Sequence, residues 1–332
     1  INAVAGLNLN VPDIKLPIGI SFFTFQMISY IIDCYWEKVE VQKSYSKFLM
    51  YVSLFPQLVA GPIVRYSTIE SEISSRKTTL DDLYSGISRI AVGLGKKVII
   101  ANSLSAVVTS LFDGELKNIS VVGTWLGAAL YALQIYFDFS GYSDMAIGLG
   151  RMFGFRIREN FNYPYISRSV SEFWRRWHIS LGSWFRDYLY IPLGGSRVKS
   201  CGRLIFNLFV VWFSTGLWHG ANWTFIAWGL MYFVLLCVEK LTGFEKCSVP
   251  LWLAWIYTML FVVLGWVLFR AENLTGAVKY VLAMFGIGAS GLLDAKAAYY
   301  MAEYKLFFLL AIAASLPIAG WLGKAKEHLD GA

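Results

Sequence analysis

The chain has 332 residues, 57% of them hydrophobic and only 15% charged, where a soluble domain carries about a quarter charged. Such a composition excludes an ordinary soluble domain and points to a body embedded in lipid. The net charge of +7 is confined, because Arg151 to Arg203 holds ten Lys or Arg against three Asp or Glu and the rest is near neutral. A basic block between apolar runs reads as a cytoplasmic face. Nucleic-acid binding, the other use of a basic patch, is disfavoured by the Trp, Phe and Tyr interleaved with the arginines.

A helix needs about 20 mostly apolar residues to cross the hydrocarbon core. In chain order, Leu16 to Ile32 is apolar and uncharged, whereas Phe48 to Val64 is interrupted by Pro56 and Pro62. Asp81 to Lys97 reads as an interfacial helix leading into the short run Val98 to Phe112, and Asn118 to Phe137 has full length. Tyr163 to Gly195 alternates charges and aromatics at helical spacing, as amphipathic helices at a membrane surface do, with Ser171 as a cap. Leu204 to Val238 is too long for one crossing. Gly216, Gly220 and Asn222 break it, predicting two helices with His219 at the bend. Irregular backbone at that depth is tolerated where it is buried in protein or lines a cavity, so His219 is expected to face a cavity. Ser248 to Phe269 is a clean span, Tyr280 to Leu293 is short, and Leu306 to Leu322 contains Pro317. These runs predict an all-α polytopic protein with roughly eight to ten membrane helices. Transmembrane strands would alternate apolar and polar residues, and these runs do not.

Candidate chemistry is sparse. Cys34, Cys201, Cys237 and Cys247 form no CxxC pair and no zinc-type cluster with histidine, so neither a metal nor a disulfide framework is expected. Of the three histidines, His328 lies in a polar tail and reads as solvated. His178 and His219 sit in aromatic surroundings, where an ionisable group inside a membrane domain is a functional candidate. A structural imidazole bonded between helices is the plainer alternative. A neutral imidazole can take the proton of a hydroxyl attacking a thioester carbonyl. Asp138 and Asp144, with Ser140 and Ser143 between them, are read as lying near a membrane helix end, where the cluster orients a histidine or, more plainly, Ser140 or Ser143 caps the next helix. Gly148 to Gly154 has the wrong spacing for a dinucleotide loop, and GxSxG is absent. The start at Ile1 without a signal-peptide pattern suggests a piece of a longer protein.

At six stretches the sequence resembles the membrane-bound O-acyltransferases, specifically the bacterial alginate O-acetyltransferase membrane-subunit type. They are LPIGISFFTFQMISYIIDCY (16–35), LFPQLVAGPIVRY (54–66), LQIYFDFSGYSDMAIGLGRMFGF (133–155), ENFNYPYISRSVSEFWRRWHISLGSWFRDYLYIPLGG (159–195), TGLWHGANWTFIAWG (215–229) and GWVLFRA (265–271). The resemblance implies a single membrane domain over residues 1–332, with a matching core at 16–271 and C-terminal helices at 272–332. It further implies a ring of tilted helices around a tunnel, flanked by interfacial helices, with the first helices missing. By the same resemblance His219 in GLWHG is the catalytic base and His178 in EFWRRWHISL binds or positions a substrate. The implied reaction moves an acyl group, acetyl above all, from acetyl-CoA or an acyl-carrier thioester across the bacterial inner membrane for O-acetylation of a polysaccharide such as alginate. No permanently bound cofactor is implied, and the implied partner is an extracytoplasmic SGNH-type acetyltransferase. D-alanyl transfer to teichoic acid from a carrier protein is the nearest alternative. A polysaccharide-precursor transporter is the alternative of another class, but transporter folds carry internal repeats and none is found here.

Overall fold

The computed structural model describes residues 19–58, 60–114 and 118–318, and among them there is no strand. Four N-terminal helices follow one another, α1 (Ile20–Tyr35), α2 (Tyr45–Val52), α3 (Phe55–Leu58) and α4 (Tyr66–Ser75), and α1, α2 and α4 share one hydrophobic cluster. Helix α5 (Leu80–Gly95) starts with a capping box, in which the Thr79 hydroxyl accepts from the Asp82 N–H while the Asp82 carboxylate accepts from the Thr79 N–H. It runs through a π-helical turn at Lys96–Ala101 into α6 (Asn102–Phe112).

Helix α7 (Val121–Met152) is the central rod, 32 residues long and so about 48 Å at 1.5 Å per residue. It packs on α5 through two glycine pairs. A Cβ at Gly148 would lie 2.6 Å from the Gly86 carbonyl oxygen, and one at Gly141 would lie 2.7 Å from that of Gly93. Small residues let two backbones approach this closely where lipid offers no hydrophobic drive for helix association. The contact is locked by Asp144, a buried carboxylate that accepts from Arg89 Nε at 2.7 Å and Lys96 Nζ at 2.6 Å. Asp138, one turn and a half earlier, pairs with Lys97.

After α7 come the short helices α8 (Val170–Arg176) and α9 (Ile179–Phe185), then α10 (Cys201–His219), α11 (Trp223–Thr242), α12 (Leu251–Arg270), α13 (Leu274–Met284) and the bent pair α14 (Ala295–Glu303) and α15 (Lys305–Ala314). Leu80–Phe112, α10, α11 and α12 are long and apolar enough to cross a membrane, and α14 with α15 adds a fifth if the pair, bent by 64°, is one span.

The expected eight to ten crossings are therefore not reached among the described residues. The Phe48 to Val64 run divides into α2 and α3, α1 has 16 residues, and α13 has 11, or about 16 Å against a core of about 30 Å. Asp81 to Lys97 does not form a separate interfacial helix; it is the first half of the Leu80–Phe112 rod. Ser169, not Ser171, caps α8, accepting from the Glu172 N–H at 2.9 Å. Residues 16–18 and 319–322 of two expected runs, and His328, lie outside the described residues.

Candidate functional site

The Leu204 to Val238 run does divide at the predicted bend. Helix α10 ends on His219, Gly220 turns the chain, and Asn222 caps α11 by accepting from the Thr224 N–H at 3.2 Å. The Asn222 amide also donates to the Glu272 carbonyl at 2.8 Å, tying the bend to the segment after α12. The two helices of the hairpin touch at Gly216 and Gly229. A Cβ at Gly216 would stand 2.6 Å from the Phe225 carbonyl oxygen. The His219 ring is half-buried in an aromatic cage, edge-on to Trp228 at 5.1 Å between centroids and to Phe269 at 5.0 Å, with Trp218 at 4.7 Å. Edge-to-face packing of this kind fixes ring orientation.

His178 arrives from another segment of the chain, in the break between α8 and α9. It occupies the N-cap position of α9 with a left-handed backbone, φ 46°, and its side chain does no capping. The imidazole is 4% exposed. Its Nδ1 lies 3.2 Å from Asn160 Oδ1, and its Nε2 has no hydrogen-bond partner. Phe139 of α7 packs edge-on at 4.7 Å, and Trp218 stands 6.4 Å away.

Both imidazoles line one cavity of about 520 Å³, walled by Trp174, Trp177, Trp228, Trp266 and Phe269. Its polar side carries Arg175, Arg186, Lys240 and Glu245, all exposed to solvent. Burial pushes the Glu245 carboxyl up, but hydrogen bonds from Arg175 and Ser169 outweigh it and hold the group below the ordinary carboxylate range. The buried Glu239 carboxylate at this end accepts from the backbone N–H groups of Val170 at 2.6 Å and Ser171 at 2.8 Å, docking α8 on α11.

The structure thus brings His178 and His219 together and leaves the acidic cluster of α7 apart from them. Asp138, Ser140, Ser143 and Asp144 all lie within α7, so neither serine caps a helix, and both aspartates pair with cations of the Leu80–Phe112 rod. Their neighbour Ser143 does reach the site, accepting from Asn160 Nδ2 at 3.2 Å. Asn160, Ser180 and Glu239 were not foreseen from sequence. Their roles depend on bonds between distant segments, which no local spacing announces. Among the described residues no three His, Cys, Asp or Glu side chains gather where they could hold a metal ion.

Residues 38–276 match the membrane-bound O-acyltransferase family, and this range contains every residue lining the cavity. The chain belongs to the membrane-bound O-acyltransferases. With its candidate spans, this makes it a multi-pass membrane protein. This family member is 49% identical over 276 residues to the probable alginate O-acetylase AlgI of Pseudomonas aeruginosa, a match covering 83% of this chain and 52% of that protein. It is 38% identical over 309 residues to the peptidoglycan O-acetyltransferase of Helicobacter pylori, covering 83% and 58% respectively. With the teichoic acid D-alanyltransferase of Bacillus subtilis it shares 31% identity over 238 residues, covering 69% and 60%. The membrane-bound O-acyltransferase chain described here spans about half the length of the curated relatives it matches.

Proposed function

We propose that the protein to which this chain belongs transfers an acetyl group from a thioester to a hydroxyl, with His219 as general base, for O-acetylation of a cell-surface polysaccharide such as alginate. The observation that carries this reading is the convergence of two histidines, distant in sequence, on one aromatic-walled cavity with a basic rim. The 49% identity to a probable alginate O-acetylase supports acetyl as the group transferred.

In this mechanism the acceptor oxygen attacks the thioester carbonyl carbon while its proton passes to His219. The tetrahedral intermediate then collapses, the C–S bond breaks, and the thiolate takes the proton back from the imidazolium. Water is kept from the thioester by the indole walls, and the reaction otherwise needs alignment of two substrates. His178 holds one of them. The donor is acetyl-CoA or an acyl-carrier thioester entering from the cytoplasmic face of the bacterial inner membrane. Guanidinium groups suit its phosphates, and Arg175 and Arg186 stand at the cavity for that purpose. The acyl group is handed to an extracytoplasmic acetyltransferase of the SGNH type.

The test uses the full-length gene in its own host with the chromosomal copy deleted. Ester-linked acetate on surface polysaccharide is quantified after complementation with wild type or His219→Ala, with membrane abundance matched by immunoblot. Loss of the base is expected to lower acetate transfer by about 10²–10⁴-fold. Equal restoration by both would leave His219 structural. D-alanyl transfer, favoured by the 31% identity to a teichoic acid D-alanyltransferase, becomes the better reading if deletion leaves acetate unchanged and lowers esterified D-alanine.

A further inference from the structure

His178 is held by a side chain from another part of the chain. Asn160 is fully buried and lies in the irregular segment after α7. Its backbone carbonyl accepts from the Ile179 N–H at 2.9 Å. Its side-chain Oδ1 accepts from the Ser180 N–H at 3.1 Å and from the Ser180 hydroxyl at 2.9 Å. Asn160 therefore does from outside what an N-cap residue ordinarily does from within, and His178, which occupies the cap position of α9, is released from capping. The backbone N–H of Ser180 can only donate, so the atom facing it is the amide oxygen. The Asn160 NH₂ points the other way, to Ser143 Oγ.

This orientation dictates the tautomer of His178. Its Nδ1 faces an acceptor at 3.2 Å and must carry the proton. The Ser180 hydroxyl could instead donate to Nδ1, but it stands 3.5 Å from that nitrogen and 2.9 Å from Asn160 Oδ1. Its own oxygen is occupied by the Ile63 N–H at 3.0 Å. With the proton on Nδ1, Nε2 is a bare acceptor, buried and without a partner in the cavity wall. A buried polar atom left without a partner needs a reason, and a substrate O–H or N–H supplies one.

We propose that Asn160 is a positioning residue that holds His178 in the Nδ1–H tautomer, so that Nε2 accepts a hydrogen bond from a substrate hydroxyl or amide in the cavity. The proposal rests on the reading of His178 as part of the transfer site.

The test labels the full-length protein with ¹⁵N-histidine in lipid nanodiscs and identifies the His178 signals by difference against His178→Ala. Wild type and Asn160→Asp, which keeps an oxygen acceptor in place, are expected to show a non-protonated Nε2. In Asn160→Ala the freed Ser180 hydroxyl turns to Nδ1 and the proton moves to Nε2. Acetyl transfer falls by about 10-fold or more in N160A, part of the 10²–10⁴ that acid–base and hydrogen-bonding groups supply, and recovers in N160D at equal abundance. A merely structural role would not exchange the tautomer. A wild-type His178 protonated on Nε2, or an N160A variant with unchanged tautomer and activity, overturns the proposal. A fully active His178→Ala would instead overturn the transfer reading of His178, leaving Asn160's control of the tautomer to be decided by the spectra alone.

Discussion

Gly229→Ala tests whether His219 is held in place by direct backbone contact between α10 and α11. The added Cβ would lie 2.5 Å from the Trp212 carbonyl oxygen and 3.3 Å from the Gly216 Cα. Ordinary contact begins at 3.4 Å, so the oxygen must move by about 0.9 Å, and backbone cannot rotate aside as a side chain can. Trp212 is itself packed against Trp174, Trp228 and Tyr232, so the helix axes separate instead. His219 lies one turn beyond Gly216 on α10 and moves with it. Overpacking costs about 1–3 kcal/mol, whereas displacing a reacting group by about 1 Å lowers the rate about 10²-fold. The variant is expected to reach the membrane, to unfold a few degrees lower in detergent, at about 2–4 °C per kcal/mol, and to lose about 10²-fold in acetyl transfer. Gly95→Ala is the control. Nothing lies within 4 Å of a Cβ there and its φ of −58° is helical, so a gain of up to about 1 kcal/mol is expected. Transfer by Gly229→Ala within about twofold of wild type would refute the reasoning, because the hairpin would then absorb the clash without moving the imidazole.

Asp144→Asn leaves Arg89 and Lys96 around an uncharged amide, and removing one partner of a buried ion pair costs about 3–5 kcal/mol. Arg89 keeps Glu159 at 2.6 Å, so the lower end, about 3 kcal/mol, is expected from thermal unfolding of the full-length protein. A melting temperature equal to wild type would mean that the glycine pairs alone hold α5 to α7. Asp187→Asn is expected to show a pH-dependent deficit. Burial pushes the Asp187 carboxyl up, but bonds from Arg186 and from Arg65 at 2.8 Å outweigh it and lower its pKa. A lowered folded-state pKa stabilises above the unfolded value, about 3.9, and that contribution is lost as pH falls toward the folded value. Melting curves across pH should therefore show the Asp187→Asn deficit in full above about pH 5 and shrinking below about pH 4. A deficit constant with pH would assign it to packing. Asn222→Ala removes the α11 cap and the bond to Glu272, and is expected to cost about 1 kcal/mol by the same unfolding assay.

What the sequence could and could not disclose follows from how far each signal reaches along the chain. The bend at His219 was legible because Gly216, Gly220 and Asn222 interrupt an otherwise uncharged run, and the chain turns there for local reasons. The cap of α8 was also within reach, since Ser169 and Glu172 have the S-x-x-E spacing of a helix start, and Ser171 was the wrong choice between two similar residues. The helix end expected near Asp138 and Asp144 is absent for a deeper reason. Helix α7 passes straight through from Val121 to Met152, and Gly141 within it serves close approach to Gly93 rather than a turn. The two uses carry the same letter, and only the partner helix tells them apart. Helix counts fail in the same way. Hydropathy registers an apolar stretch but not how far its helix runs, so a run such as that around α13, whose helix has 11 residues, is counted although it is too short to cross, and the expected number exceeds what the described residues hold. Asn160 lies at the far end of this scale. Its four side-chain bonds reach Ser143 in α7 and His178 and Ser180 at the start of α9, and nothing in its immediate neighbours distinguishes it from a loop asparagine. A residue whose partners come from two other segments can be recognised only once those segments are in place, and such a residue sets which nitrogen His178 turns toward the cavity.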